Sequence, residues 1–194
     1  MNHFLAQLSR SGRFLRLSAI GVACIAINAA SVLAQAASPL RIGEAFPPLA
    51  AEAVSGRAIE IPTSVAARPT AVIFGFSKQA GKDAQHWDEL LAPDRATGGV
   101  DVVVVAEIQS VPRLIRGAVA LAIRRGVGAN LRDRMILLDR DEKIWKARFA
   151  VTGTDQAYVA LLDSAGKVSW LSDGQRADET ISRLRDAMHR PARD

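Results

Sequence analysis

Apolar and polar positions change period several times along the chain, and each change marks an element. Thr70-Ala71-Val72-Ile73-Phe74-Gly75-Phe76 is a continuous apolar run rich in β-branched residues, the pattern of a strand buried on both faces. Val100 to Ile108 repeats that pattern, and Met135-Ile136-Leu137-Leu138 is a shorter third case. Between them the period turns helical. Ala84, Trp87, Leu90 and Leu91 fall on one side of a helix over 82–91, with Pro93 as its stop. Ser110-Val111-Pro112 opens a second helix that runs to about Arg125 and is closed by Gly126 and Gly128. Residues 144–149 form a short helix or an irregular connection.

The two ends of this core read as antiparallel pairs and a helix. Val54-Ser55-Gly56-Arg57-Ala58-Ile59-Glu60-Ile61 alternates about a Ser-Gly turn, the signature of a short hairpin. Ala157 to Asp163 and Lys167 to Leu171 flank Ser164-Ala165-Gly166, a second hairpin with glycine in its turn. A last helix starts at Asp178 and carries Ile181, Leu184 and Met188 at helical spacing. Strands alternating with helices and ending in an antiparallel pair predict an α/β fold, a mixed sheet with helices on both faces.

The first 36 residues follow none of these periods. Met1 to Arg16 is basic and acid-free, Leu17 to Ala34 is an apolar block, and Ala34-Gln35-Ala36 presents small residues ahead of a cut. This is the layout of a secretory signal peptide over 1–36. One folded domain over 37–188 and a polar tail over 189–194 follow it. A retained N-terminal membrane anchor is the alternative, since 18 apolar residues just reach spanning length. A periplasmic or secreted protein released by cleavage near Ala36 is the expectation.

Composition narrows the function. The net charge of +5 comes from 25 Lys and Arg against 20 Asp and Glu, and Arg10, Arg13 and Arg16 lie in the N-terminal segment. Taking those three from the 25 leaves 22 against 20, which weakens any nucleic-acid reading built on net charge. Aromatic residues make up 5%, too few for a base-stacking platform. The sole cysteine is Cys24, inside the apolar block, so a chain cut after Ala36 has no thiol for a disulfide, a thiolate metal site or nucleophilic attack.

In this order the elements resemble the thioredoxin-like superfamily, in its exported peroxiredoxin and cytochrome-maturation-type branches. The carrying residues are Gly43-Glu44-Ala45-Phe46-Pro47-Pro48-Leu49, the turn at Gly56, the strand from Thr70 to Phe76, and Tyr158-Val159-Ala160-Leu161-Leu162-Asp163-Ser164-Ala165-Gly166-Lys167-Val168. The resemblance implies a three-layer α/β/α fold over most of 41–188. It also implies a Cys-x-x-Cys or peroxidatic cysteine after the first core strand, at Phe76-Ser77-Lys78-Gln79-Ala80-Gly81-Lys82. Gln79 and Lys82 stand where the two thiols belong, and Gln156-Ala157 stands where a cis-proline is expected to face them. Tyr158 to Trp170 is also similar to the end of the thioredoxin-like assembly factors of the mitochondrial ATP synthase, which act as chaperones for a membrane subunit. The expectation is a thioredoxin fold without thiol redox chemistry that acts as a binding or assembly module for an envelope partner. A thiol-independent enzyme or vestigial peroxiredoxin-like oxidoreductase using residues 77–86 is the alternative.

Few residues offer other chemistry. Lys82, Asp83 and His86 lie about a turn apart, with His86 a weak candidate base and a solvated polar face the plainer reading. In the helix over 112–125, at about 100° per residue, Leu114, Ile115, Val119, Leu121 and Ile123 share a broad apolar face. Arg113, Arg116 and Arg124 cluster opposite. The expected packing buries the apolar face in the core and leaves the arginines in solvent. There they are free to meet an acidic envelope protein or an anionic membrane surface. Arg125, Arg132 and Arg134 extend the positive charge. Trp87, Trp145 and Trp170 read as core or rim packing. Asp139, Asp141 and Glu142 lack the rest of a calcium loop and read as a charged turn. No cofactor or metal motif is read, and no nucleic acid is expected as a partner.

Overall fold

A computed structural model describes residues 38–65, 68–172, 174 and 177–189; the expected signal peptide over 1–36 and the last five residues of the expected tail lie outside them. Seven strands and six helices follow in order: β1 Leu49–Glu52, β2 Ala58–Ile61, β3 Thr70–Gly75, α1 Lys78–Leu90, α2 Ala92–Ala96, β4 Asp101–Glu107, α3 Arg113–Gly126, α4 Ala129–Arg132, β5 Met135–Leu138, α5 Glu142–Arg148, β6 Tyr158–Leu162, β7 Val168–Leu171 and α6 Ala177–Met188.

The main sheet has the order β5-β4-β3-β6-β7. β3 is at its centre because all six of its residues are apolar or small enough to be buried on both faces. It pairs in parallel with β4, Thr70 opposite Asp101 through Gly75 opposite Ala106, and antiparallel with β6, Thr70 opposite Leu162. β5 joins the parallel side, while β6 and β7 form the antiparallel hairpin expected from the turn at Gly166. The β1–β2 hairpin is a separate pair that touches the sheet at Ala53 opposite Ile136. This is the α/β architecture that the alternation of periods predicts.

Each face of the sheet carries its own apolar layer. On one face Phe46, Ile59, Ile61, Phe74, Val105, Trp145 and Phe149 close under the hairpin and α5. Phe74 is the hub, with its ring centroid 4.8 Å from Trp145 and 4.9 Å from Phe149. On the other face Trp87, Leu91, Val104, Val127, Leu131 and Leu184 close under α1, α4 and α6. Trp87 and Trp145 are core residues and Trp170 is partly buried against the second layer, as their spacing implied. Among the described residues, both layers run from Leu40 to Met188.

One helix departs from expectation. No residue of α3 is buried. Leu114 is 100% exposed, Ile115 51% and Leu121 46%, and only Val119, Ala120, Ile123 and Arg116 are partly covered. The expected burial of its apolar face in the core is therefore wrong. The reason lies in the turn that follows: Val127 and Leu131 enter the second core layer, so the place on the sheet is filled by α4. α3 stands beside the β5 edge with Ile123 as its contact with that layer.

Candidate functional site

Helix α1 begins at the C-terminal end of β3, and Gly75 makes the join possible. A Cβ there would meet the Ala80 carbonyl carbon and the Gly81 nitrogen at 3.2 Å, tighter than ordinary packing allows. Ser77 caps the helix: its hydroxyl accepts the Ala80 N–H at 3.0 Å and donates to the Thr154 carbonyl at 2.7 Å. Gln79 and Lys82 follow in the first turns with exposed side chains. The helix starts four residues before the expected position because the cap, and not the apolar period, sets its first residue.

Lys82, Asp83 and His86 do not converge. The Asp83 carboxylate accepts the Ala157 N–H at 2.8 Å and so fixes the loop that faces the helix start. A proline at 157 would have no N–H to give. Among the described residues the cis bond is Ile61–Pro62, elsewhere in the fold. His86 points away to α6, its Nε2 2.9 Å from Asp178 Oδ1, and is half exposed. That pair is a surface tie between two helices.

The residue that sequence reasoning missed is Glu107, the last of β4. It is 5% exposed, with Oε1 accepting the Gln109 N–H at 2.8 Å and Oε2 without a partner. Around it stand Glu142 and Lys146, which pair with each other at 2.5 Å, and Lys146 sits 5.9 Å from the centre of the Phe76 ring. Burial, reinforced by the neighbouring Glu142 carboxylate, pushes the Glu107 carboxyl up to about 7, against the opposing pull of the Gln109 N–H and Lys146. The signal in the sequence is a single acid closing an otherwise apolar strand run. The arrangement can hold one proton near neutral pH at the end of the sheet where α1 starts.

A second feature is a cleft of about 790 Å³ between α3, the β1–β2 hairpin and β5. Arg113, Arg116 and Arg124 line it, with Arg140, Glu52 and Asp139 across from them. Arg113 and Arg124 border this cleft and stay exposed, as expected, but the side of the helix that carries Leu114, Ile115 and Leu121 is exposed as well, where the expected packing buried it. Arg116 is turned back, its guanidinium donating to the carbonyls of Gln109 at 2.5 Å and Val111 at 3.0 Å. Arg132 donates to the Arg124 carbonyl, and Arg134 is bidentate on the buried Asp88. No hydrogen bond or ion pair holds the guanidiniums of Arg113, Arg124 and Arg125 among the described residues. Asp139, Asp141 and Glu142 form no metal-ligand group, and none is found among the described residues.

The fold as a whole has counterparts among solved structures. A thiol:disulfide interchange protein DsbE from Chlorobium tepidum superposes with a TM-score of 0.58 at 16% identity, covering 77% of this chain and 99% of that one. The fold is thioredoxin-like. The thioredoxin domain of a thiol-disulfide oxidoreductase from Bacteroides vulgatus gives 0.55 at 14% identity over 77% and 99%. A thiol:disulfide interchange protein from Bacteroides sp. gives 0.52 at 14% over 76% and 90%. No family model and no curated protein matches the chain. At these identities the likeness is one of backbone.

Proposed function

We propose that the chain is an exported thioredoxin-fold protein that works by binding, as a binding or assembly module for a partner in the cell envelope, after cleavage near Ala36. The observation that carries this reading is the occupancy of the first turns of α1. Gln79 and Lys82 stand there, exposed, where the resemblance puts two thiols. Disulfide exchange requires a thiolate to attack a sulfur, and the single cysteine of the chain is Cys24, within the proposed leader. Asp83 supports the same reading, since it ties the facing loop through the Ala157 N–H. The resemblance of residues 158–170 to the end of the thioredoxin-like assembly factors of the mitochondrial ATP synthase, which act as chaperones, supports a chaperone-like role.

The test is an insulin-reduction and peroxide-consumption assay on the chain lacking residues 1–36, paired with its use as bait on its own envelope fraction. The expected result is no turnover above buffer and recovery of a specific envelope protein. Reductase or peroxidase turnover that survives removal of contaminants would refute the reading. Recovery of a co-purifying small molecule and no protein would favour a thiol-independent enzyme at 77–86.

A further inference from the structure

We propose that α3 is an interfacial helix through which the domain lies on an anionic phospholipid surface. This rests on the binding-module reading and names the surface it meets. Leu114, Ala118, Leu121, Ala122 and Ile115 form a stripe along α3 that points into solvent, and Leu114 is fully exposed. An apolar stripe on a folded domain marks a contact surface. Arg113 and Arg124 border it on the cleft side and Arg125 continues it at the C-terminal end. None of the three is held by an ion pair or hydrogen bond among the described residues. Long guanidinium stems at the edge of an apolar stripe can lie along it and lift their charge to the headgroups.

Charge selects the occupant. No Asp or Glu occurs from Ile108 to Arg132. A second copy of the same face would set arginine against arginine. The chain's own N-terminal segment, with Arg10, Arg13 and Arg16 and no acid up to Glu44, is repelled for the same reason. The composition then separates lipid from protein. From Arg113 to Gly126 the helix contains only Arg, Gly, Ala, Val, Leu and Ile. Specific protein interfaces are enriched in aromatic anchors and carry directed hydrogen bonds, and this helix has neither aromatic nor neutral polar side chains. An apolar face of leucine, isoleucine and alanine bordered by arginines is the amphipathic pattern of a helix lying in a headgroup layer. No residue of α3 is buried and Leu114 is fully exposed, so a flat surface can reach its stripe.

The test is co-sedimentation of the chain lacking residues 1–36, which keeps both core layers, with vesicles of phosphatidylcholine alone or with about one-third phosphatidylglycerol. The wild type is expected to pellet with the anionic vesicles, to release as salt rises, and to ignore phosphatidylcholine. R113Q/R124Q/R125Q removes three surface charges at roughly fivefold each; binding weakens about a hundredfold and loses most of its salt dependence. L114S/L121S weakens binding about tenfold or more and keeps the salt slope. Neither variant moves the unfolding midpoint, because the positions are exposed. Equal pelleting with neutral vesicles, no pelleting with anionic ones, or variants that bind as wild type would each overturn the proposal. So would capture of an acidic protein through this face by a domain that ignores vesicles. Redox assays on the same preparation judge the binding-module reading separately.

Discussion

Replacing Glu107 by Gln changes how stability depends on pH, and the direction follows from its surroundings. In the unfolded chain this carboxyl titrates near 4.5; in the fold it is pushed up to about 7 by burial and by Glu142. Below the lower value both states hold the proton and the residue costs nothing. Between the two the unfolded chain releases its proton while the fold keeps it, so stability falls as pH rises. Above about 7 both are ionised and the full cost is reached. At 1.36 kcal/mol per unit, the loss between pH 5 and pH 8 is on the order of 2 kcal/mol. Gln keeps the acceptor for the Gln109 N–H and offers an N–H to the Glu142 carboxylate where Oε2 now has no partner. Urea titrations of both proteins at pH 5 and pH 8 give the stability difference at each pH, and other titrating groups cancel. The variant is expected to gain about 2 kcal/mol on wild type between the two pH values. A difference that stays constant across that range would show that Glu107 is not held protonated, and the reasoning would fail.

Two further substitutions test other parts of the fold. Asp88→Asn leaves Arg95, 2.7 Å away, and the bidentate Arg134 facing a neutral amide in a buried site; the expected loss is about 3 kcal/mol or more, read as a lower urea midpoint at constant slope. Gly166→Ala places a Cβ 2.5 Å from Pro62 Cβ at φ +75°, whereas Gly56→Ala at φ +91° meets nothing within 4 Å. Thermal unfolding is therefore expected to show a larger loss at 166, by roughly 1–3 kcal/mol, and equal losses would mean that the Pro62 contact does not constrain the turn.

The order of strands and helices was legible because it rests on period, and period reports burial directly. β3, β4 and β5 are apolar runs too short for helices, and glycine marks the turn between β6 and β7. Boundaries were less legible where a single polar contact decides them. Ser77 starts α1 through its bond to the Ala80 N–H, and Pro93 sits at the start of α2 where a stop was expected. β1 begins at Leu49 because it pairs with β2, Leu49 opposite Ile61, and its alanines carry little strand signal. Glu107 was hidden for a related reason: a period says that a position is buried, and is silent on what a carboxyl there will meet.

The helix α3 shows the limit most clearly. Of the five residues assigned to its apolar face, Leu114, Ile115 and Leu121 are exposed, while Val119 and Ile123 are partly covered and Ile123 packs against the second layer. Amphipathicity fixes which residues share a face, while the assignment of that face to the core assumes that the core has room for it. Here Val127 and Leu131 take that room, two apolar residues that follow the helix and are carried into the sheet layer by the turn at Gly128. With them in place, Arg113, Arg116 and Arg124 line a cleft that also contains Glu52 and Asp139, and Leu114, Ile115 and Leu121 are left facing outward. A stripe left outside forgoes the gain of burial, about 1.5–3 kcal/mol for each such side chain, and a surface that covers it recovers part of that gain. The same residues that fail to build the core are therefore the ones most able to bind. On the reading proposed above, the contact surface is therefore α3, beside the β5 edge, and not the start of α1, where Gln79 and Lys82 stand exposed.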